Sequence, residues 1–324
     1  MPKELSRDLA LAHGGIAPAK ADPPCPRRRA GASCPRRQQG FEGGGTAVFG
    51  RAAAEAFRRD GFFAPVPAFS AAEVREWRGA FEDFERSLPP GSIRPQDRRK
   101  LHVRLPWARR IAEDPRVLDV VEALIGPDIL VYTSTFFVKE PHSDAVAAWH
   151  QDATFFGLAP HEHVTAWIAL SEASVAAGCM RFVPGSHRWG QRRHVPGAVA
   201  GSINAGAQRL SEAVDAAAAI HAPLEAGQFS LHHTLVVHDS APNRSADRRI
   251  GFGISYIPAH VRYTGRHRPS ASLVRGLDPF GHFDLEPDPR DLPAAERAAA
   301  HERAYRAYRA AYEEQMVLHR RAFA

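Results

Sequence analysis

The sequence has few cysteines and no long apolar run, and both absences argue against whole classes of protein. Of its three cysteines, Cys25 and Cys34 lie in a Pro- and Arg-rich start and Cys179 is alone in the body. A disulfide scaffold is therefore not expected, and a reducing, cytoplasmic environment is. No window approaches the roughly 18 apolar residues of a membrane span. The charged start also lacks the apolar region of a signal peptide, so no membrane partner is expected.

The first 47 residues lack a hydrophobic period and are dominated by Pro, Gly and Arg. They hold eight Lys or Arg and four Asp or Glu, so most of the formal net charge of +6 belongs to them. This composition predicts a disordered extension over 1–47 and a single domain over 48–324. The arginines of the extension could bind nucleic acid, but a solvated tail is the preferred interpretation. The nearly balanced domain needs no nucleic-acid partner.

Helices are predicted at both ends of the domain, with short β-rich runs between them. The first helix is closed by Gly61, and the second opens with Ser70 and Glu73 at the spacing of a capping box. The third ends at Gly126. Residues 292–322 form an Ala-rich closing helix, which contains Tyr305, Tyr308 and Tyr312.

The order of these elements predicts the fold class. Strands and helices do not alternate, which argues against a doubly wound parallel sheet. Helices first, many short strands next and a closing helix indicate a mainly β protein with flanking helices. We expect a sandwich or barrel with the helices packed on one sheet.

The stretch WHQDATFFGLAPHEH, residues 149–163, is rich in metal-binding side chains. If WHQD is extended, His150 and Asp152 share a face and Gln151 points the other way. One imidazole and one carboxylate make up two thirds of the facial triad that holds Fe(II) and leaves positions open for a co-substrate and O2. The same spacing recurs at His282 and Asp284, but Gly and Pro crowd that segment and no metal site is expected there.

A third ligand is expected from a later strand, and His238 is the best candidate. The turn-forming APNRSAD separates two β-rich runs. A hairpin with its tip in the middle of that turn pairs His238 with Arg249 and Ser240 with Asp247. A guanidinium beside a metal site can bind a carboxylate in bidentate fashion.

Parity divides the strand after this turn into two faces. One face is small and would leave room for a ligand beside Arg249; it comprises Arg249, Gly251, Gly253 and Ser255. The other is mostly apolar and suited to packing under helices; it comprises Arg248, Ile250, Phe252, Ile254 and Tyr256.

From about Gly61 to Pro258 the sequence resembles the phytanoyl-CoA dioxygenase family of Fe(II)/2-oxoglutarate oxygenases. The resemblance is densest in WHQD, VTAWIAL, GCMRFVPGSH and HHTLVVHDSAPNRSADRR. It implies a double-stranded β-helix, the cupin-like jelly roll, with helices packed on the larger sheet. The closing segment, 260–287, is similar to that of bacterial members rather than the mammalian enzyme. Phytanoyl-CoA is therefore not carried over as the substrate.

The resemblance also implies roles for individual residues. His150, Asp152 and His238 match the metal ligands, and Arg249 matches the arginine that holds the distal carboxylate of 2-oxoglutarate. Ser240 and Trp167 match positions that line the co-substrate pocket. Thr133 matches a co-substrate contact more weakly. The implied cofactors are Fe(II), 2-oxoglutarate and O2, with ascorbate as a supporting reductant. Related halogenases have Ala or Gly in place of the carboxylate, so Asp152 favours hydroxylation of an aliphatic C–H, with release of succinate and CO2.

The substrate is expected to be a small molecule. Two basic loops near the predicted barrel mouth raise the hypothesis that it is anionic, although solvated surface is the preferred interpretation of these loops; they contain Arg94, Arg98, Arg99, Lys100, Arg192, Arg193 and His194. A cupin-type isomerase or hydrolase and a non-catalytic binding protein are the alternative functions. The first leaves Arg249 unexplained, and the second gives no reason to keep all three ligands and the arginine. Substrate identity and oligomeric state stay open.

The other histidines near the motif are given ordinary roles. His161 and His163 follow Pro160 and are expected in an exposed loop. His232 shares the parity of His238, so it could border the pocket, but a satisfied core histidine is the preferred interpretation.

Overall fold

The computed structural model describes residues 50–323 except 90, 92, 198, 200 and 205–207. The predicted extension 1–47 lies outside the described residues. Within the part that is described, no helix is long and apolar enough to cross a membrane.

The helices begin and end largely where the sequence predicts; they are α1 Arg51–Asp60, α2 Ala71–Arg86, α3 Pro106–Ala112, α4 Pro115–Ile125 and α5 Ala294–Ala322. Gly61 closes α1 in the left-handed region, with φ of 83°, and its N–H donates to the carbonyl of Phe57. The capping box of α2 is present, since the Ser70 hydroxyl accepts from the Glu73 N–H and the Glu73 carboxylate accepts from the Ser70 N–H. The short α3 was not predicted.

The strands form two main antiparallel sheets. Their bounds are β1 Phe62–Pro67, β2 Ile129–Lys139, β3 Ala147–His150, β4 Leu158–Ala159, β5 Val164–Ala169, β6 Met180–Phe182, β7 His194–Val195, β8 Arg209–Leu210, β9 Ile220–Ala222, β10 Gln228–His233, β11 His238–Ser240, β12 Arg249–Pro258, β13 Arg262–Tyr263, β14 Ser270–Arg275 and β15 Asp284–Leu285. Among the described residues, the larger sheet has the order β1-β10-β5-β12-β2-β14-β15, and the smaller has the order β3-β11-β6-β9. Only β14 and β15 pair in parallel there.

Helices α1–α4 cover one face of the larger sheet, as the sequence predicts. Ile250, Phe252 and Ile254 of β12 belong to the same buried core as the apolar residues of these helices. Phe252 stacks on Phe136 at 4.2 Å between ring centroids, and Phe136 stacks on Phe81 of α2 at 4.3 Å. Burying each such side chain stabilises the fold by about 1.5–3 kcal/mol. The opposite face of β12 is thereby directed into the space between the two sheets.

The predicted hairpin between β11 and β12 is wrong. β11 lies in the smaller sheet, where His238 pairs with His150 and Phe182, and β12 lies in the larger sheet, where Arg249 pairs with Lys139. The connecting loop crosses between sheets because the Asn243 amide donates to the carbonyls of Lys139, Glu140 and Asp247. His238 and Arg249 therefore approach the interior from opposing sheets.

Helix α5 packs against the far end of the sandwich. Its Tyr308 and Ala311 join a second buried cluster with Tyr132, Phe156 and Phe283. Near its end, His319 accepts a hydrogen bond at Nε2 from the backbone N–H of His194, over 2.9 Å. The helix is thus attached both to the core and to the start of β7.

Candidate active site

His150, Asp152 and His238 converge in the interior. His150 is the last residue of β3, and Asp152 begins a 3₁₀ turn, Asp152–Phe155, so the premise that both lie in one strand was wrong. The turn nevertheless brings Asp152 Oδ1 to 3.5 Å from His150 Nε2 and to 3.8 Å from His238 Nε2. One ligand atom from each residue lies within 4.8 Å of the others, which is close enough to share a metal ion.

Backbone carbonyls fix the orientation of both imidazoles. Nδ1 of His150 lies 2.7 Å from the carbonyl oxygen of Ala148, and Nδ1 of His238 lies 3.0 Å from that of Val236. A carbonyl only accepts, so Nδ1 carries a proton in each ring, and Nε2 is the nitrogen that faces Asp152 and is left to bind a metal ion. Burial also holds the pKa of His238 well below its ordinary value. That histidine is therefore neutral, as a metal ligand must be.

Hydrogen bonds to the second carboxylate oxygen of Asp152, Oδ2, hold this side chain in place. Oδ2 accepts a hydrogen bond from His232 Nε2 over 3.0 Å and from the Thr165 hydroxyl over 3.3 Å. Burial raises the pKa of Asp152, but the surrounding histidines outweigh it and hold that pKa well below its ordinary value. His232 is 2% exposed and lines the cavity, so it is at once buried and part of the site. The sequence indicated that His232 shares a strand face with His238, but it did not indicate that His232 bonds to Asp152.

Arg249 is a buried cation without a carboxylate partner among the described residues. It is 1% exposed, its Nη1 reaches only the Gly178 carbonyl at 3.4 Å, and its Nε and Nη2 have no hydrogen-bond partner in that part of the chain. Burial lowers its pKa to about 10, so it stays charged at neutral pH. A buried, unpaired charge is costly. The site is therefore suited to an anion that would satisfy this guanidinium.

The two glycines of β12 make room for Trp167 rather than for a ligand. A Cβ on Gly251 would lie 1.7 Å from Cζ2 of the Trp167 indole, and one on Gly253 would lie 2.9 Å from Phe137 and 3.4 Å from Trp167. Trp167 fills this space and lines the cavity, with the Arg249 guanidinium 5.2 Å from its ring centroid. The predicted ligand space at Gly251 is thus occupied by the indole that supports Arg249.

Thr133 and Ser240 line the same cavity as the triad and Arg249. The Thr133 hydroxyl is buried and has no hydrogen-bond partner among the described residues. The Ser240 hydroxyl accepts from Lys139 Nζ over 2.7 Å. Lys139 was not anticipated; burial lowers its pKa to about 6. The cavity has an empty volume of about 810 Å³, which includes its open mouth.

Most of the predicted basic residues are neutralised rather than free. Arg94 pairs with Asp97, Arg98 with Glu85 and Lys100 with Glu286. Lys100 is fully buried, and so it is no part of a basic mouth. His194 is likewise buried, and burial lowers its pKa to about 3, so it carries no charge. The expectation of two basic loops was wrong in these places because Lys100 and His194 are buried and the arginines are paired with carboxylates.

Several aromatic and histidine side chains lie elsewhere than expected. His163 is 0% exposed and packs on Phe156, with 5.5 Å between ring centroids, so the expectation of an exposed loop residue was wrong. Tyr308 and Tyr312 of α5 line the cavity, which the sequence analysis did not anticipate. Their i, i+4 spacing places them on one face of the helix and was the available signal.

The chain matches the family described as phytanoyl-CoA dioxygenase (PhyH) over residues 57–251. A mouse relative, phytanoyl-CoA dioxygenase domain-containing protein 1, is 31% identical over 193 residues, which are 56% of this chain and 64% of the relative. The human peroxisomal phytanoyl-CoA dioxygenase is 26% identical over 153 residues, 46% of this chain and 45% of that protein. The chain thus spans about half to two thirds of the length of these curated relatives.

Solved structures share the jelly-roll fold. The non-heme monooxygenase ThoJ in its apo form is 32% identical with a TM-score of 0.73, over 82% of this chain and 98% of ThoJ. CytC3 with Fe(II) and α-ketoglutarate is 22% identical with a TM-score of 0.56, over 74% of this chain and 93% of CytC3, and this likeness shows the fold alone. The chain therefore belongs to the phytanoyl-CoA dioxygenase family.

Proposed function

We propose that the protein is an Fe(II)/2-oxoglutarate-dependent dioxygenase that hydroxylates an aliphatic C–H of a small molecule, with residues 48–324 as its catalytic domain. The observation that carries this proposal is Arg249, a buried guanidinium with no carboxylate partner among the described residues, lining the same cavity as His150, Asp152 and His238. The ligand set is supported by the ThoJ relative, which has been solved as a nickel complex.

The donor atoms fit Fe(II). Two imidazole nitrogens and one carboxylate oxygen, His150 Nε2, His238 Nε2 and Asp152 Oδ1, form the facial set that leaves room for a co-substrate. Bound Fe(II) would supply the oxidative decarboxylation of 2-oxoglutarate by O2, giving succinate and CO2, and the coupled oxidation of the substrate. The protein itself contributes orientation and a dry pocket.

The co-substrate fits the polar atoms that lack partners. Arg249 would bind the distal carboxylate of 2-oxoglutarate through Nε and Nη2, and the Thr133 and Ser240 hydroxyls border the same space. Trp167 and Phe137 exclude water beside that carboxylate, which strengthens the ion pair. A cupin-type isomerase, a hydrolase or a non-catalytic binding protein would leave this arginine unexplained.

The test is release of succinate from 2-oxoglutarate by the purified protein with Fe(II), ascorbate and O2, over a panel of small molecules. We expect release that depends on Fe(II) and rises with some panel members, because binding of the right substrate couples the two oxidations. Asp152→Ala is the control, since it removes the only carboxylate of the triad. Absence of metal-dependent release with every panel member would contradict the proposal.

A further inference from the structure

Arg99 lies where the cavity of the triad opens into a second, outer cavity. It lines the first together with His150 and Asp152, and it lines the second together with residues of the mouth such as Tyr305 and Arg309. A substrate that enters through the outer cavity therefore passes this guanidinium before it reaches the metal ligands.

Arg99 differs from its charged neighbours in having no acidic partner among the described residues. Arg98 pairs with Glu85, Arg309 pairs with Glu313 at 2.6 Å, and Glu140 is taken by Arg248 at 2.9 Å. The one side-chain hydrogen bond of Arg99 found there is neutral, from Nη1 to the Tyr308 hydroxyl over 3.1 Å. The charge of Arg99 is thus available to a ligand at the junction of the two cavities.

The backbone holds Arg99 in place. It forms an isolated β-bridge with Thr135 of β2, and its carbonyl oxygen accepts a hydrogen bond from His301 Nε2 of α5 over 2.8 Å. The Tyr308 hydroxyl holds the guanidinium as well, so the side chain loses less conformational freedom when it binds an anion. The geometry therefore favours a specific contact over a general attraction of anions.

The wall inward of Arg99 is mostly apolar and aromatic. Phe137, Phe156, Met180 and Tyr312 line the cavity of the triad. Such a lining accepts an apolar body, whereas a second charged group there would be desolvated without a partner. The combination selects for a molecule that is charged at one end only.

We propose that Arg99 binds the anionic group of the substrate, and that the substrate is a small molecule with an apolar, aromatic-sized body and one carboxylate or phosphate at the end that stays nearest the mouth. This inference rests on the proposed function. It assigns a different ligand to each of the two arginines that line the cavity. Arg249 takes the co-substrate, and Arg99 takes the substrate.

The experiment compares matched acids and neutral amides as probes. The pairs are phenylacetate with phenylacetamide, 4-phenylbutyrate with 4-phenylbutyramide and octanoate with octanamide, and phenyl phosphate serves as a second anion. Binding is measured by calorimetry on the Fe(II)- and 2-oxoglutarate-loaded protein under argon, for wild type, Arg99→Gln, Arg99→Lys and Arg309→Gln. The last variant is the control, since Arg309 lies in the outer cavity but is already paired with Glu313.

We expect at least one acid to bind wild type about tenfold more tightly than its amide, because an ionised acceptor strengthens the hydrogen bonds of a guanidinium. Arg99→Gln should abolish that preference, Arg99→Lys should retain part of it, and Arg309→Gln should leave it intact. The affinity for 2-oxoglutarate should be the same in all four proteins. A preference for phenyl phosphate over phenylacetate would identify phosphate as the anion.

Three results would overturn the inference: equal affinities of every acid and its amide for wild type, a preference that survives in Arg99→Gln, or no binding of any probe. Failure of the proposed function is recognised separately, because the wild-type protein would then not bind 2-oxoglutarate in the presence of Fe(II). In that case the affinities of the acids and amides are compared on the protein without co-substrate. This comparison tests anion binding by Arg99 independently of 2-oxoglutarate.

Discussion

His232 donates a hydrogen bond from Nε2 to Oδ2 of Asp152 over 3.0 Å. The two residues come from different sheets, since His232 belongs to β10 of the larger sheet and Asp152 follows β3 of the smaller one. The bond therefore crosses the sandwich. It fixes the carboxylate so that Oδ1 is the oxygen directed at His150 and His238.

Replacing His232 should weaken metal binding without removing a ligand. We expect His232→Ala to lower the affinity for Co(II) or Ni(II) about 10- to 100-fold, since groups that orient metal ligands contribute on that scale. The affinity is measured by titration of the metal-free protein. His232→Gln retains a donor and should recover part of the loss. The neighbouring His233→Ala is the control, and an equal loss there would show that the effect is one of folding alone.

Replacing Arg249 should separate co-substrate binding from metal binding. Arg249→Ala is expected to raise the KM for 2-oxoglutarate roughly 10- to 150-fold, the value of a hydrogen bond to a charged group. Ni(II) affinity should be unchanged. Because the variant removes a buried charge with no carboxylate partner in the described part of the chain, the melting temperature without ligand should not fall. An unchanged KM would contradict the assigned role.

The buried pair of Lys100 and Glu286 should be far more important for stability than exposed pairs nearby. Lys100 Nζ lies 2.5 Å from Glu286 Oε1, and both side chains are almost fully buried. Glu286→Gln leaves the lysine without its counter-charge and should cost about 3–5 kcal/mol in the free energy of unfolding. Asp284→Asn, in an exposed pair with Arg268, should cost at most about 1 kcal/mol. Urea denaturation measures the free energy of unfolding of both variants, and similar decreases in the two would contradict the prediction.

Stability should fall as the pH drops below about 6.5. Burial lowers the pKa of His102 to about 4, of His194 to about 3 and of His233 to about 4, from an ordinary value of 6.5. Below pH 6.5 the unfolded chain takes up protons at these positions and the folded chain does not, so the free energy of unfolding decreases. Urea midpoints of the metal-free protein at pH 7 and pH 5 measure the decrease.

A matched pair of variants checks the source of this pH dependence. His233→Gln removes a half-buried histidine whose pKa is lowered to about 4, and should reduce the difference between the two midpoints. His260→Gln, at an exposed histidine that contacts Glu162, is the comparison variant. If both variants keep the full pH dependence, the buried histidines are not its cause.

Features that are set by residues close together in the sequence could be predicted, whereas features set by residues far apart in the sequence could not. The two faces of β12 follow from the period of a single strand, and the caps of α1 and α2 follow from neighbouring residues. The register of β11 was wrong because it depends on Asn243, which bonds to carbonyls about a hundred positions earlier. A turn-like composition could not reveal that the loop joins two sheets.

The same limit applies to the candidate site. The convergence of His150, Asp152 and His238 follows the motif and its resemblance, even though Asp152 lies in a turn. The partners of Lys100 and Arg99 could not be predicted, because burial of a cation is decided by acids and carbonyls brought from elsewhere in the chain. Arg99 became distinct from its neighbours only when their ion pairs were known.

The hydrogen bond between His319 and His194 has a consequence for how the site is assembled. The His194 ring accepts at Nε2 from the backbone N–H of Gln151, the residue between two of the triad members, so α5 supports that backbone through one intermediate. During synthesis, a growing chain would carry all three triad residues before it carries His319. We therefore expect nascent chains to bind the metal ion more weakly until α5 has packed against the rest of the domain.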